Sequence, residues 1–308
     1  MKLTKQIAAI IVLILSVSVG RSQRPRIATP VWTPPPSRTA KTPFAPKPLP
    51  AHNIFKGEAE VWLAEAIETL ECGGPYDAIK DKAISDYVSE IGKHLGKYYA
   101  APTKQYTFVV TDDPDPSAMS PGGGRIYISY GMLELLESED EVAAVLAHEI
   151  GHDAFYHAAR TVTRQMFWLT ETREILTPKD AEYALSELNE WLENPLIAMG
   201  DRLLGFDRFD ELEADRAAFY NIYKAGYNPH AMTSMLKRLD KHVEQHRPSD
   251  APTKLFLLLF GKHPPLGQRT FALEWESNFV KMPPENSLQR STAFEETKRR
   301  AAALAKGD

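Results

Sequence analysis

The stretch His148-Glu149-Ile150-Gly151-His152 has the residue types and the spacing of a metal-dependent hydrolytic site. Two histidines four positions apart share one face of a helix, so their imidazoles can converge on one ion. Glu149 projects beside them and can take a proton from a water molecule. Three fixed letters also arise by chance in many chains, so this pattern alone does not decide between a catalytic site and a coincidence.

A second acidic segment, Glu211-Leu212-Glu213-Ala214-Asp215, offers the missing ligand. A zinc hydrolase needs three protein ligands and one open position. Glu211 and Asp215 share a helix face, so Glu211 can bind the metal while Asp215 accepts a hydrogen bond from a ligand histidine. Two separate helices would then supply the site.

The histidine pair needs a helix to hold it, and the sequence predicts one. Ser138 is a suitable N-cap, and Glu141 three residues later completes a capping box. Apolar residues then recur at helical spacing, and helical features continue to Arg160. The acidic segment falls in a helix predicted from about Leu196 to Ala225, which Gly226 and the pair Asn228-Pro229 end.

Strands are predicted between the first helices and the histidine pair. Tyr106–Thr111 and Arg125–Ser129 are rich in β-branched and aromatic residues, Ala118-Met119 forms a short strand, and Pro121–Gly124 turn. The glycine triplet is not a phosphate loop, because no Gly-Lys-Ser/Thr follows it. Four further helices are predicted: Phe55–Leu70, Tyr76–Tyr98, Pro229–Arg247 and Phe294–Lys306.

Three segments in this order carry a resemblance to a known family: AMSPGGGRIYISYGMLELLESEDEVAAVLAHEIGHDAFYHAAR, ELEADRAAFY and HPPLGQR. From about Ile84 to Arg269 the chain resembles the zinc metallopeptidase family that includes HtpX, BepA, OMA and the CAAX prenyl endopeptidases. The resemblance implies an α+β fold, mainly α-helical and zincin-like, with a small β-sheet or hairpin beside the active-site helix. It also implies one zinc ion per chain, with the following roles: His148, His152 and Glu211 as ligands, Glu149 as catalytic base, and Asp215 behind a ligand histidine.

The same resemblance implies that the hairpin borders the active-site cleft. We predict that Arg125, Ile126, Tyr127, Ile128 and Ser129 form an edge strand that binds an extended polypeptide substrate through main-chain hydrogen bonds. The sequence departs from the family in front of the glycines, where relatives carry Asn-Ala-Phe and this chain reads Asp115-Pro116-Ser117-Ala118-Met119-Ser120. Loop shape or substrate preference can differ for this reason.

His263 begins a segment that resembles the His-Pro-Pro motif of the family. Three roles are open: donation to a developing oxyanion, occupation of the water position in an autoinhibited enzyme, or capping of the next helix. Residues 163–205 are predicted to form a helical insertion. Its apolar side chains indicate core packing, and the alternatives are a lid over the cleft or a membrane-facing surface.

The remaining histidines do not point to a further metal site. A third histidine of the metzincin type would fall at position 158, which is alanine. His157 lies well around a continuous helix from His152, so we predict a packing or surface residue rather than a ligand. His242 and His246 are four apart but lack a following glutamate and an evident third ligand, which favours a solvated helix face.

The chain is predicted to begin with a leader. Residues 1–20 have basic residues before a short apolar run, which is typical of a cleaved export signal, with a retained membrane anchor as the alternative. Residues 21–50 form a proline-rich basic linker. Residues 51–308 are then the metallopeptidase domain, in an exported, periplasmic or otherwise extracytoplasmic location. The basic leader can touch an anionic membrane surface or remain a solvated linker.

Charge argues against a nucleic-acid-binding protein, and cysteine content excludes a fold held by intrachain disulfides. The first 50 residues hold eight of the 36 basic residues and no acid, which leaves 28 basic against 41 acidic residues and a net charge of −13 for the rest. An acidic domain is a poor partner for nucleic acid. Cys72 is the only cysteine, so no intrachain disulfide can form.

Two functions fit these features. One is a zinc-dependent endopeptidase that hydrolyses unfolded or misassembled proteins, as in protein quality control. The other is a chaperone-like peptide-binding module on the same fold, with an autoinhibited or weakly active zinc site. Glu149 is present, which favours the enzyme.

Overall fold

A computed structural model of the 308-residue chain describes residues 57–72, 77–99, 105–170, 208–245 and 266–306. It also describes the isolated positions Thr33, Pro35, Ser37, Phe55 and Lys179. The leader, most of the predicted insertion at 163–205, residues 196–207 of the predicted ligand helix, and His263 all lie outside these residues. The predicted division of the chain into leader, linker and domain therefore stays a prediction.

The described residues form an α+β structure that is mainly helical, as predicted. The helices are α1 (Glu58–Cys72), α2 (Lys82–Gly96), α3 (Tyr130–Leu135), α4 (Glu139–Ala154), α5 (His157–Thr170), α6 (Arg208–Lys224), α7 (His230–Gln245), α8 (Leu266–Ser277) and α9 (Thr292–Ala305), with a 3-10 turn at Glu285–Ser287. The strands are β1 (Thr107–Thr111), β2 (Ala118–Gly122) and β3 (Arg125–Ser129). Within the described part of the chain, no helix combines the length and the apolar character needed to cross a membrane.

The three strands form one mixed sheet in the order β1-β3-β2. β3 pairs in parallel with β1, from Thr107 opposite Arg125 to Thr111 opposite Ser129. On its other side β3 pairs antiparallel with β2. The prediction that Arg125–Ser129 is an edge strand is therefore wrong. The strand bounds were right, but nothing local in the sequence shows that β1 joins the far side of the hairpin. The two edge strands of this sheet are β1 and β2, and Ala78 forms an isolated bridge with Thr111 on the outer side of β1.

The turn between β2 and β3 explains the glycine triplet. Gly122, Gly123 and Gly124 have φ angles of 104°, 64° and 80°, a region in which side chains other than glycine are strained. Pro121 lies just before them in β2, where a residue without an N–H is tolerated because the strand is at an edge. The triplet thus shapes a tight turn, as predicted.

Helix α4 is the centre of the structure, and every one of its residues is buried. α2, α6, α7 and β2 all pack against it. A helix buried on all sides has no polar face, and after its acidic first turn the residues from Val142 to Ala147 are all apolar. The histidine pair is consequently carried on the most enclosed element of the described structure.

The first turn of α4 is acidic and is held by many donors. Ser138 caps the helix, and its hydroxyl accepts the Glu141 N–H at 3.1 Å, as the capping box predicts. The Glu141 carboxylate accepts the N–H of Glu137 at 2.7 Å rather than that of Ser138. Glu139, Asp140 and Glu141 are all buried. Negative charge here is favourable, because the N-terminus of a helix carries partial positive charge.

The helical run that contains the histidine pair is broken after Ala154. Phe155 is the C-cap of α4, and Tyr156 has a φ of 58°, the left-handed conformation that commonly ends a helix. α5 then starts at His157. The residues beyond Tyr156 are therefore not placed by the helical periodicity of α4.

Candidate active site

The structure brings His148, His152 and Glu211 together. The Nε2 atoms of the two imidazoles are 3.0 Å apart. The Glu211 carboxylate lies 3.6 Å from each of them, through Oε2 to His148 and Oε1 to His152. All three side chains are buried. Two helices, α4 and α6, thus supply the three groups, in the arrangement that the spacing predicts.

These donor atoms fit a divalent metal ion. In a tetrahedral site with bonds of about 2.0–2.1 Å, two ligand atoms are roughly 3.3 Å apart. The three observed separations of 3.0, 3.6 and 3.6 Å bracket that value. Two imidazole nitrogens and a carboxylate oxygen that face one another are all acceptors once the histidines are neutral, so a cation between them relieves their repulsion.

Asp215 supports the first histidine from behind. Its Oδ1 lies 3.0 Å from His148 Nδ1, the ring nitrogen that faces away from Glu211. An Nδ1–H that donates to this carboxylate leaves the Nε2 lone pair directed at the ligand cluster. Asp215 was predicted for this position from its four-residue spacing to Glu211.

Arg269 fixes Asp215 in turn. Its Nε and Nη2 donate to the two Asp215 oxygens, both at 2.6 Å, and its Nη1 lies 3.4 Å from Glu211 Oε2. The guanidinium is buried, so this pair is shielded from solvent. The sequence analysis gave Arg269 no role, because no spacing rule links α8 to α6.

The surroundings shift the ionisation of both partners. Burial disfavours the charged form of His148, but its hydrogen bonds to Asp215 and Glu211 outweigh burial and raise its pKa to about 10. Burial alone would raise the pKa of Asp215. The hydrogen bonds from Arg269 and His148 outweigh burial, and the pKa is lowered. Without a metal the site therefore holds a proton, which a bound metal must displace.

Helices α4 and α6 cross closely, and this crossing positions Glu211 next to the two histidines. At Gly151, a Cβ atom would lie only 3.2 Å from the Cα and 3.3 Å from the carbonyl oxygen of Ala214. Both residues are small, so the backbones of α4 and α6 approach closely where Glu211 comes near the two histidines. Gly151 therefore serves packing, although it lies inside the motif that carries the chemistry.

The sheet borders the same helix. β2 packs against α4, and the Gly124 N–H donates to Asp153 Oδ1 at 2.8 Å, one residue after His152. Glu149, on the same helix between the two histidines, is 8% exposed. The hairpin thus lies beside the active-site helix, as the predicted fold has it.

His157 lies where the sequence did not place it. It is fully buried, and its Nδ1 is 2.9 Å from His152 Nδ1. Its Nε2 is 3.1 Å from Glu213 Oε2. The prediction of a packing or surface residue fits its complete burial, but the premise of a continuous helix is wrong, because Tyr156 has a left-handed conformation. His157 is not part of the ligand cluster.

Two groups of side chains in the described part of the chain have the geometry to hold a metal: His148, His152 and Glu211, and also His157, Asp210 and Glu213. His242, on α7, is in neither group. His246 and His263 lie outside the described residues, so the roles predicted for His263 stay predictions.

Comparison with known proteins agrees with the fold and the motifs. The model described as Peptidase family M48 matches residues 83–277. The chain is similar to the Beta-barrel assembly-enhancing protease of Escherichia coli (strain K12), with 24% identity over 189 residues, which cover 60% of this chain and 38% of that protein.

Two further similarities have the same character. The Mitochondrial metalloendopeptidase OMA1 of Schizosaccharomyces pombe is 29% identical over 154 residues, which cover 50% of this chain and 43% of the relative. The Metalloprotease YcaL of Escherichia coli (strain K12) is 24% identical over 183 residues, which cover 57% and 68%. The matched region thus spans less than half of the first two relatives.

Proposed function

This chain belongs to peptidase family M48 and carries a metalloendopeptidase domain, as its motifs predict, and from that premise we propose that it is a zinc-dependent endopeptidase. The observation that carries the proposal is the convergence of two imidazoles and one carboxylate within 3.6 Å of one another, with a glutamate between the two histidines in the sequence. Zinc suits this donor set of two nitrogens and one oxygen.

A zinc ion held by His148, His152 and Glu211 would supply a Lewis acid that polarises the scissile carbonyl and makes an attacking water more acidic. The chain supplies the proton transfers. Glu149 takes the proton of the water and then gives it to the leaving amine, first as general base and then as general acid. Its small exposed fraction allows contact with a substrate while limiting competing solvent.

Asp215 and Arg269 fix the orientation of the His148 imidazole. The bidentate pair with Arg269 holds the Asp215 carboxylate against His148, so this imidazole cannot rotate away from the site. Because the lowered pKa of Asp215 keeps it ionised, it accepts the Nδ1 hydrogen bond across the neutral pH range.

An extended substrate segment is proposed to add to the sheet at β2. This strand packs on α4 and ends at the glycine turn that is hydrogen bonded to Asp153. Main-chain pairing holds a polypeptide with little regard to its side chains, which suits unfolded clients. Unfolded or misassembled proteins are therefore the proposed substrates, in keeping with a relative named for enhancing β-barrel assembly.

We place this activity outside the cytoplasm, with possible contact of the basic leader to a membrane surface. The support is the predicted export signal at residues 1–20 and the basic, proline-rich segment after it. Mass measurement of the mature N-terminus tests this part of the proposal, because a cleaved signal removes about the first 20 residues.

The decisive test is cleavage of casein, an unfolded protein, by the zinc-loaded full chain. We expect turnover that a chelator stops and added zinc restores. Glu149→Gln should retain zinc and lower turnover by about 100- to 10,000-fold, since it removes the general base. Glu90→Gln, an exposed glutamate on α2, is the matched control and should leave turnover unchanged.

Two results would contradict the proposal. Full activity of Glu149→Gln would remove the general base from the mechanism. A zinc-loaded wild-type chain that binds casein without cleaving it, and does so equally in Glu149→Gln, would identify the chaperone-like binding module instead.

A further inference from the structure

We propose that His157 is a positioning residue that fixes the ring tautomer of His152, through a relay from His152 to His157 to Glu213. The proposal rests on the proposed role of His152 as a metal ligand. It gives the second histidine ligand a support equivalent to the one that Asp215 gives to His148.

The contacts form a chain that leads away from the ligand cluster. His152 Nε2 faces His148 and Glu211, and His152 Nδ1 lies 2.9 Å from His157 Nδ1. His157 Nε2 lies 3.1 Å from Glu213 Oε2. Both rings are buried, so water does not substitute for these partners.

Only one arrangement of protons satisfies this chain with a metal bound. His157 Nε2 faces a carboxylate and must carry a proton, since a lone pair there would be repelled. If His157 Nδ1 also carried a proton, His152 Nδ1 would have to accept, and the proton of His152 would lie on Nε2, towards the metal. His152 Nδ1 therefore donates to His157 Nδ1, and the Nε2 lone pair of His152 is free to bind the ion.

Arg160 and Asp210 hold the outer end of the relay. Arg160 Nη1 donates to Glu213 Oε2 at 2.9 Å, and its Nη2 lies 3.4 Å from Asp210 Oδ1. Each histidine ligand thus leads to a carboxylate and then to an arginine, Asp215 with Arg269 and Glu213 with Arg160.

A second metal ion at His157, Asp210 and Glu213 is the competing interpretation. These three groups come close enough to hold an ion. The guanidinium of Arg160 already lies on both carboxylates, and it would be next to any divalent ion placed there. The guanidinium offsets one of the two carboxylate charges and would repel a divalent ion placed beside it, and the relay gives His157, Glu213 and Arg160 a role without a second metal.

Three substitutions at His157 test the relay, with zinc as the probe and release to a chelator from the full chain as the measurement. His157→Asn places an amide oxygen where Nδ1 was, so it can still accept from His152. His157→Gln reaches Glu213 but not His152, and His157→Phe keeps a ring and loses both contacts. We expect zinc release to be about 10- to 100-fold faster in the Phe and Gln variants and close to wild type in the Asn variant.

His242→Phe is the control, because it replaces a histidine on α7 outside both clusters. Melting of the metal-free variants identifies any that fail to fold, and His157→Gln, which is also expected to release zinc faster, keeps the test decisive if the Phe variant is lost. ¹⁵N NMR of ring-labelled, zinc-loaded protein reads the tautomer directly, with the proton of His152 expected on Nδ1.

Unchanged zinc release in a folded His157→Phe chain would overturn the proposal, and so would a stoichiometry of two zinc ions per chain. These outcomes differ from a failure of the proposed function, in which the wild-type chain itself binds no zinc or cleaves no casein.

Discussion

At the scale of single residues, His148 shows how neighbours decide what a side chain does. Glu211 and Asp215 lie on opposite nitrogens of its ring, at 3.6 and 3.0 Å. The same two carboxylates that suit a metal ion also stabilise a proton when the metal is absent. A metal bound at the proposed site would therefore compete with a proton for this residue.

This competition predicts how zinc binding depends on pH. The pKa of His148 is raised from 6.5 to about 10 in the metal-free chain, so the bound proton stabilises the fold fully below pH 6.5 and this contribution is lost as pH rises towards 10. Zinc affinity changes in the opposite direction and should rise by about tenfold per pH unit in that window. Zinc titrations at several pH values measure the slope.

Asp215→Asn provides the control for that slope. It removes a group that raises the pKa of His148, so the proton should bind more weakly and zinc affinity should vary less with pH. A slope that Asp215→Asn leaves unchanged would assign the pH dependence to another group.

The buried pair of Arg269 and Asp215 gives a second prediction. Arg269→Met leaves the Asp215 carboxylate buried without its two 2.6 Å donors, which should lower the free energy of unfolding by about 3–5 kcal/mol. Thermal or denaturant unfolding measures this loss. Arg299→Met breaks an exposed ion pair with Glu296 and should leave the melting temperature unchanged.

A double variant separates stability from metal binding. Arg269→Met with Asp215→Leu removes both charges and should recover much of the lost stability. His148 would still lack its partner, so zinc would remain weakly bound. Recovery of both properties would show that Asp215 does not orient His148.

At the scale of elements, the crossing of α4 and α6 sets the geometry of the site. Glu211 reaches the histidines only because Gly151 lets the two backbones approach. The four-residue spacings and the capping residues were enough to predict the candidate ligands and the helices that carry them. The sequence could not predict how the two helices cross, because helix packing depends on which side chains of one helix contact those of the other.

Gly151→Ala tests that crossing. The added methyl would lie 3.2 Å from the Ala214 backbone, which must move by tenths of an ångström. Overpacking costs about 1–3 kcal/mol, and the better helix propensity of alanine returns up to about 1 kcal/mol, so we expect slight destabilisation with clearly weaker zinc binding. Calorimetric zinc titration and melting measure the two effects.

Gly267→Ala is the matched control, because a Cβ at this first-turn position of α8 meets nothing within 4 Å. It should leave zinc affinity unchanged and melt no lower than the wild type. If Gly151→Ala behaved in the same way, the close crossing would not matter for the metal site.

Two elements also show where sequence reasoning failed. β3 was assigned correctly from its alternation of residues but wrongly to the sheet edge, because pairing with β1 is a long-range choice that leaves no local signal. His157 was misplaced because a single left-handed residue, Tyr156, ends α4. A tyrosine does not indicate a left-handed residue, whereas a glycine or an asparagine at this position would have indicated the end of a helix.

At the scale of the whole molecule, α4 is held at both ends by parts of the chain that are distant in sequence. Its C-terminal end meets the hairpin turn through Gly124 and Asp153. At the N-terminal end, Asn228 donates to Asp140 at 2.8 Å, and Ser234 donates to Glu141 at 2.7 Å. The sequence predicted this helix and its N-cap, but not that distant parts of the chain would hold both of its ends.

The acidic first turn of α4 has a practical consequence for anyone who shortens this protein. The side chains of Glu139 and Asp140 accept hydrogen bonds from Ser291 and the Gln289 N–H, about 150 positions later in the chain. The family match ends at residue 277, before either donor. A fragment that ends at that boundary would leave two carboxylates of α4 without these hydrogen-bond donors. We therefore expect α4 to be destabilised in such a fragment, although the fragment still contains His148, His152 and Glu211.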